Sequence, residues 1–138
     1  MSISALIGSG TEMIRRVTIP NILQPVSHYC HVVEANNIVW VSGLVGMFSD
    51  GTIPSDTLAQ FDVAISDLET CLQAVGSTRH DVVKVRIFMI DISERELINP
   101  RRIEFFGDHK PASSLFEVTA LVDPRMKVEI EAEAIVSV

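Results

Sequence analysis

The sequence predicts a single α+β domain: one mixed β-sheet of about six strands with two helices packed on one of its faces. Three observations lead there. Several segments alternate apolar and polar residues with the period of a strand. Between Leu58 and Val75, apolar residues recur at three- and four-residue spacing, the period of a helix. The elements follow one another as hairpin, helix, strand, helix, strand, strand, an order that a sheet covered on one face satisfies.

The first residues, about 1–12, are rich in Ser and Gly and read as a mobile leader. They have no basic region ahead of an apolar one, so they do not read as a secretory signal. Pro20 and Pro25 break up the connection that follows. His31–Ala35 and Ile38–Ser42 flank Asn36-Asn37 and predict a hairpin. Gly43 and Gly46 mark a place where the strand bends or another backbone comes close.

Ser49-Asp50-Gly51 predicts a turn. The helix after it carries Leu58, Phe61, Ile65, Leu68, Leu72 and Val75 as its buried stripe. Ser55, Asp56 or Thr57 caps its start, Thr57 with Gln60 would form a capping box, and Gly76 ends it. Asp81–Ile90 is β-branched and alternating, hence a strand. Ser93 with Glu96 opens a second helical stretch, and Pro100 predicts a fresh start with Asn99 as N-cap, running to near Gly107. Two strands, roughly Ser114–Leu121 and Lys127–Val136, close the chain.

Composition narrows the function classes. The chain has 138 residues, enough for one core. Hydrophobic residues make up 47% and charged residues 21%, which argues against disorder. No apolar run approaches the ~20 residues that cross a bilayer, so no membrane role is expected. The net charge of −7, with no basic stripe, argues against nucleic acid as a partner. Cys30 and Cys71 form no CxxC pair and fit reduced thiols in a cytoplasmic protein.

The last strand separates its faces. Val128, Ile130, Ala132, Ala134 and Val136 lie on one side, and Glu129, Glu131 and Glu133 on the other. Lys84 and Arg86 share one face of the Asp81–Ile90 strand and would pair with these glutamates if the strands are neighbours. Two helices cover only one face, so the other is polar or buried in an oligomer. On spacing alone, Glu129 is a solvated sheet residue and Tyr29 a core or interface tyrosine. His28, Cys30 and His31 fall near one another, but on a strand His31 would face away from the other two, and no second ligand group exists, so no metal is expected. Ser42 and Ser113 lack a base that would make a triad, and neither GxGxxG nor GxxxxGK is present.

Several motifs together resemble the Rid (reactive intermediate deaminase) family, which also carries the label endoribonuclease L-PSP. Pro111-Ala112-Ser113-Ser114, Glu117-Val118 and Val128-Glu129-Ile130-Glu131-Ala132 match its C-terminal signature. Val41-Ser42-Gly43 matches its central strand end, Ser27-His28-Tyr29 the segment before its first hairpin, and Asn99 with Phe105-Phe106 its second helix. The resemblance implies a fold like bacterial chorismate mutase and a homotrimer with active-site clefts between subunits. It implies hydrolysis of enamines and imines to ammonia and a carbonyl compound, with no cofactor. Carried over by position, Glu129 would hold the attacking water, Tyr29 would line the cleft, Ser42 and Gly43 would form its floor, and Asn99 would stand at the rim.

One position departs from the best-known branch, which has Pro-Ala-Arg where this chain has Pro-Ala-Ser. Ser113 cannot form a bidentate pair with a substrate carboxylate. Arg102, one turn after Asn99, or Arg125, in the turn before Glu129, is left to anchor an acidic substrate. The change puts a small 2-imino acid in question and fits a larger imine, such as a 2-aminomuconate-like product, at least as well. The alternative is a non-catalytic protein that binds a small metabolite on the same fold. A ribonuclease reading is opposed by the acidic balance.

Overall fold

The computed structural model describes residues 13–137, so the expected leader at residues 1–12 lies outside the described residues. The elements are β1 (Ile14–Val17), β2 (Val32–Ala35), β3 (Ile38–Val45), α1 (Thr57–Ala74), β4 (Val82–Met89), α2 (Arg95–Phe106), β5 (Ala112–Glu117) and β6 (Val128–Ile135). The strands form one sheet in the order β1-β2-β3-β6-β4-β5. All neighbours are antiparallel except β4 and β5, which are parallel. A parallel pair needs a long crossover, and α2 provides it.

The β2–β3 hairpin turns at Asn36 and Asn37, whose φ angles of 52° and 65° are both left-handed, as a two-residue hairpin turn requires. Strand β1, not foreseen from the sequence, pairs with β2 from Ile14↔Ala35 to Val17↔Val32. The alternation of β6 is realised, with Val128, Ile130, Ala132 and Ala134 in the core. Helix α1 buries Phe61, Ile65, Leu68 and Leu72 against β3 and β6. Leu58 departs from the expected stripe and is exposed, because Thr57, one turn before Phe61, takes the inward position.

The cap of α1 is Asp56, whose carboxylate accepts from the Ala59 N–H at 2.8 Å. Thr57 and Gln60 do not form the expected capping box. Thr57 Oγ1 donates to Glu94 at 2.6 Å. Buried Gln60 donates to the carbonyls of Pro54 and Arg125, both at 2.9 Å, and accepts from the Lys127 N–H at 2.8 Å. It rivets the turn before β6 onto α1. Gly46 lets β3 come this close, since a Cβ there would strike the Gln60 backbone. Gly76 ends the helix as expected, at φ 83°, with the Ser77 N–H returning to the Leu72 carbonyl.

Other boundaries move. Asp91, not Ser93, accepts from a following N–H and starts a single turn at Ile92–Glu94. Helix α2 then runs unbroken through Pro100, so Asn99 is inside the helix and is not an N-cap. Strand β5 begins at Ala112 and ends at Glu117, short of the expected Leu121. Its strand partner among the described residues, β4, ends at Met89 opposite Glu117. Across the polar face, Arg86 bonds Glu131 at 3.1 Å and Glu133 at 3.3 Å, as expected. Lys84 instead reaches Ser114 Oγ at 3.1 Å. No helix among the described residues is long and apolar enough to cross a membrane.

Candidate active site

The site forms where β3 loses its outer neighbour. Strand β2 begins at Val32, opposite Val41, so among the described residues β3 beyond Val41 has no strand on that side. A bulge falls here: Val41 pairs with Ala132 and Leu44 with Ile130, which leaves one residue too many between them. The coil of residues 18–31 covers the gap. Buried His31 pins this coil, since its Nδ1 accepts from the Ile19 N–H and its Nε2 donates to the Leu23 carbonyl, both at 2.8 Å. His28, Cys30 and His31 thus sit in coil, not on a strand. A cavity of about 420 Å³ opens around the free edge of β3.

Four of the expected residues meet at this cavity: Tyr29, Ser42, Gly43 and Glu129. Glu129 points from β6 to the face away from the helices, and its carboxylate lies over Gly43. A Cβ at Gly43 would land on that carboxylate, so the glycine creates the seat the acid occupies. Burial raises the Glu129 pKa above the ordinary carboxylate value, and the charge of Glu131 raises it further. Arg86 bonds both Glu131 and Glu133 on the same face.

Tyr29 is half exposed and turns its ring to the cavity, its hydroxyl accepting from the Val26 N–H at 3.3 Å. Ser42 lines the cavity beside Gly43. Its hydroxyl donates to the Cys30 carbonyl at 2.7 Å and its N–H to the His31 carbonyl at 2.9 Å. It fixes the coil that carries Tyr29.

A residue not foreseen from the sequence also reaches the cavity. Asp67 lines it from α1 and has no hydrogen bond or ion pair to another described side chain. Burial pushes its pKa up to about 6, partly opposed by His31. The sequence held one signal: Asp67 lies three residues after buried Ala64 and four before buried Cys71, at the margin of the buried face.

The remaining candidates gather elsewhere. Asn99 and Arg102 line a second, more open groove of about 610 Å³ with Phe106 and Lys110. Arg102 Nη2 donates to Ser113 Oγ at 2.8 Å, so Ser113 belongs to this group. In register, Ser113 stands beside buried Val85 and so faces the helix layer, while Glu129 faces away from it. Within one chain the two groups lie on opposite sides of the sheet. Arg125 joins neither cavity. Its guanidinium is gripped by Asp123 at 3.0 and 3.1 Å, so its charge is already balanced.

Residues 19–136 match the family model described as Endoribonuclease L-PSP. Protein HMF1 of Saccharomyces cerevisiae is 32% identical over 108 residues, covering 78% of this chain and 81% of that protein. The 2-iminobutanoate/2-iminopropanoate deaminase of Escherichia coli K12 is 28% identical over 127 residues, covering 89% and 98%. Among solved structures, a Mycobacterium tuberculosis member of the YjgF/YER057c/UK114 family superposes with a TM-score of 0.79 at 32% identity, covering 89% of this chain and 99% of that one. The chain belongs to the endoribonuclease L-PSP family, the Rid family that its motifs resemble.

Proposed function

We propose that this chain is a cofactor-free hydrolytic deaminase of a reactive enamine or imine, releasing ammonia and a carbonyl compound. The observation that carries this reading is the Glu129 carboxylate, half-buried, seated over Gly43 and open to a cavity sized for a small molecule. Its raised pKa suits a group that both takes and returns a proton within one turnover. A protonated imine carbon is already electrophilic. Water adds to it while Glu129 removes one proton, giving a carbinolamine. Glu129 then returns that proton to nitrogen, the C–N bond breaks, ammonia leaves, and loss of the hydroxyl proton leaves the carbonyl. Tyr29 walls the substrate, and Ser42 keeps Tyr29 in place. The deaminase name of the Escherichia coli relative supports the reaction class.

The working unit in this reading is a homotrimer in the cytoplasm, with a small molecule as its partner and no nucleic acid or membrane. The open sheet face supports an assembly, because Ile38, Trp40 and Phe116 are exposed on it, at 43–45% each. The opposed groups of site residues support clefts completed between copies. Asn99, Arg102 and Ser113 would then stand at a neighbour's cavity, and Arg125 would keep its local turn. The substrate is a small 2-imino acid or a larger 2-aminomuconate-like imine.

Ammonia release from both imines, generated in situ, tests the proposal. Glu129→Ala is expected to abolish the enzymatic component and keep the assembly intact. Spontaneous rates from the intact wild-type oligomer across the panel would favour a non-catalytic metabolite-binding protein.

A further inference from the structure

The cavity at the free edge of β3 reaches both layers of the fold. Glu129 lines it on the open face of the sheet, and Asp67, on α1, lines it from the helix layer. The chemistry proposed above uses Glu129 and leaves Asp67 without a task.

Most hydrogen-bond donors around the cavity are already committed. His31 spends both ring nitrogens on the coil backbone. Gln24 donates its amide hydrogens to the carbonyls of Ile19 and Ile22, both at 2.9 Å. Ser42 gives its hydroxyl proton to Cys30 and its N–H to His31. The acceptors are not committed in the same way. The Asp67 carboxylate receives no hydrogen bond from a described residue, and Gln24 keeps its amide oxygen. Among the described residues, two carboxylates line the cavity and no Lys or Arg does. Cys71, one turn after Asp67, has its thiol pushed up to about 12 by burial and stays neutral. Burial likewise raises the Asp67 pKa to about 6, so near neutral pH a charged carboxylate stands half-buried with no ion pair.

A ligand that suits these walls brings donors and positive charge. An ammonium has three donors and no acceptor. Leu23, Leu44, Val122 and Met126 supply apolar wall for a short carbon chain.

We propose that Asp67 is a specificity-determining residue that binds a protonated amine on the tail of the substrate, so that the preferred imines carry an ammonium group remote from their C=N bond. The proposal rests on the deaminase reading for the reacting end, at Glu129, and on the cavity alone for the cationic end. The two carboxylates then have separate tasks: Glu129 exchanges protons with the reacting atoms, and Asp67 stays charged and holds the tail. Asp67 belongs to the helix layer of its own chain, away from the sheet face proposed to meet other copies.

The test compares two imines generated in situ by an amino-acid oxidase, one from 2,4-diaminobutanoate and one from norvaline. Their side chains match in heavy atoms and end in an ammonium and a methyl group. With the intact oligomer, wild type is expected to favour the ammonium imine roughly ten- to a hundredfold in kcat/KM, the worth of a charged hydrogen-bonded contact. Asp67→Asn, of equal size and without the charge, should bring that ratio close to one by raising KM for the ammonium imine. Asp67→Glu, which keeps the charge, should keep a preference. A ratio near one in wild type, or one that Asp67→Asn does not move, overturns the proposal. Calorimetry with 4-aminobutanoate against pentanoate separates it from the deaminase reading. Selective binding of 4-aminobutanoate that is lost in Asp67→Asn, with no imine turnover by wild type, keeps the tail site and removes the reaction. Binding that is absent or independent of Asp67 removes the tail site and leaves the reaction standing.

Discussion

Replacing Gly43 by alanine should separate the role of the site from the stability of the fold. The new methyl would overlap the Glu129 carboxylate and crowd its outer side-chain carbons. Those atoms end a flexible side chain, so Glu129 swings aside at a cost of about 0.5–1.5 kcal/mol for a displaced rotamer. Alanine recovers about 0.5–1 kcal/mol over glycine in a strand, and Gly43 has no positive φ to strain it. The two terms nearly cancel, leaving Tm within about 4 °C of wild type. The carboxylate, by contrast, leaves its seat, and a shift of about 1 Å at a reacting group costs on the order of a hundredfold in rate. Gly46→Ala is the matched control. Its methyl would strike the Gln60 Cα and carbonyl oxygen, backbone that cannot swing away, so about 1–3 kcal/mol of stability is lost to overpacking. Ammonia-release kinetics with calorimetric melting of both variants decides the matter. Wild-type turnover in Gly43→Ala would refute the view that the seat over Gly43 is where Glu129 works, and a melting loss equal to that of Gly46→Ala would reduce Gly43 to packing.

Two titration predictions follow from the charges around the cavity. Asp67 has a folded pKa of about 6 against an ordinary 3.8, so the folded chain holds its proton more tightly than the unfolded one. That contribution is destabilising above the folded pKa: it sets in as pH rises from about 4 to about 6 and is absent below the ordinary value. After allowance for solvent screening of a half-buried group, Asp67→Asn should gain on the order of 1 kcal/mol at pH 7.5 and almost nothing at pH 4, as read by urea unfolding at the two pH values. Arg86→Met would leave Glu131 unneutralised beside Glu129, so the acid-side limb of the activity profile, where Glu129 becomes protonated, should move up by roughly half a pH unit at low ionic strength. An unmoved limb would show that Glu129 is not the group behind it.

The hairpin turn at Asn36-Asn37, the stripe of α1 and the two faces of β6 were legible because each is encoded within a few residues. Backbone period and turn conformation are local properties. The reassigned residues had distant partners. Thr57 and Gln60 look like a cap pair until Glu94, Arg125 and Lys127 arrive, 37 to 67 positions away. The end of β5 was set by the end of β4, and the passage of α2 through Pro100 was likewise beyond local rules.

The site divides the same way. Motifs in the chain pointed to Glu129, Tyr29, Ser42 and Gly43, and the fold gathers these four at one cavity. The sequence left both Arg125 and Arg102 as candidate cations. Only the structure shows Arg125 neutralised by Asp123 and Arg102 resting on a serine. It alone brings Asp67 to the cavity wall. The order of residues determines which groups a chain possesses and which face of a strand or helix each occupies. Which charges remain unpaired, and how dry each becomes, depends on separations through space between distant segments, so charge balance and pKa wait for the packing of α1 and α2 against the sheet.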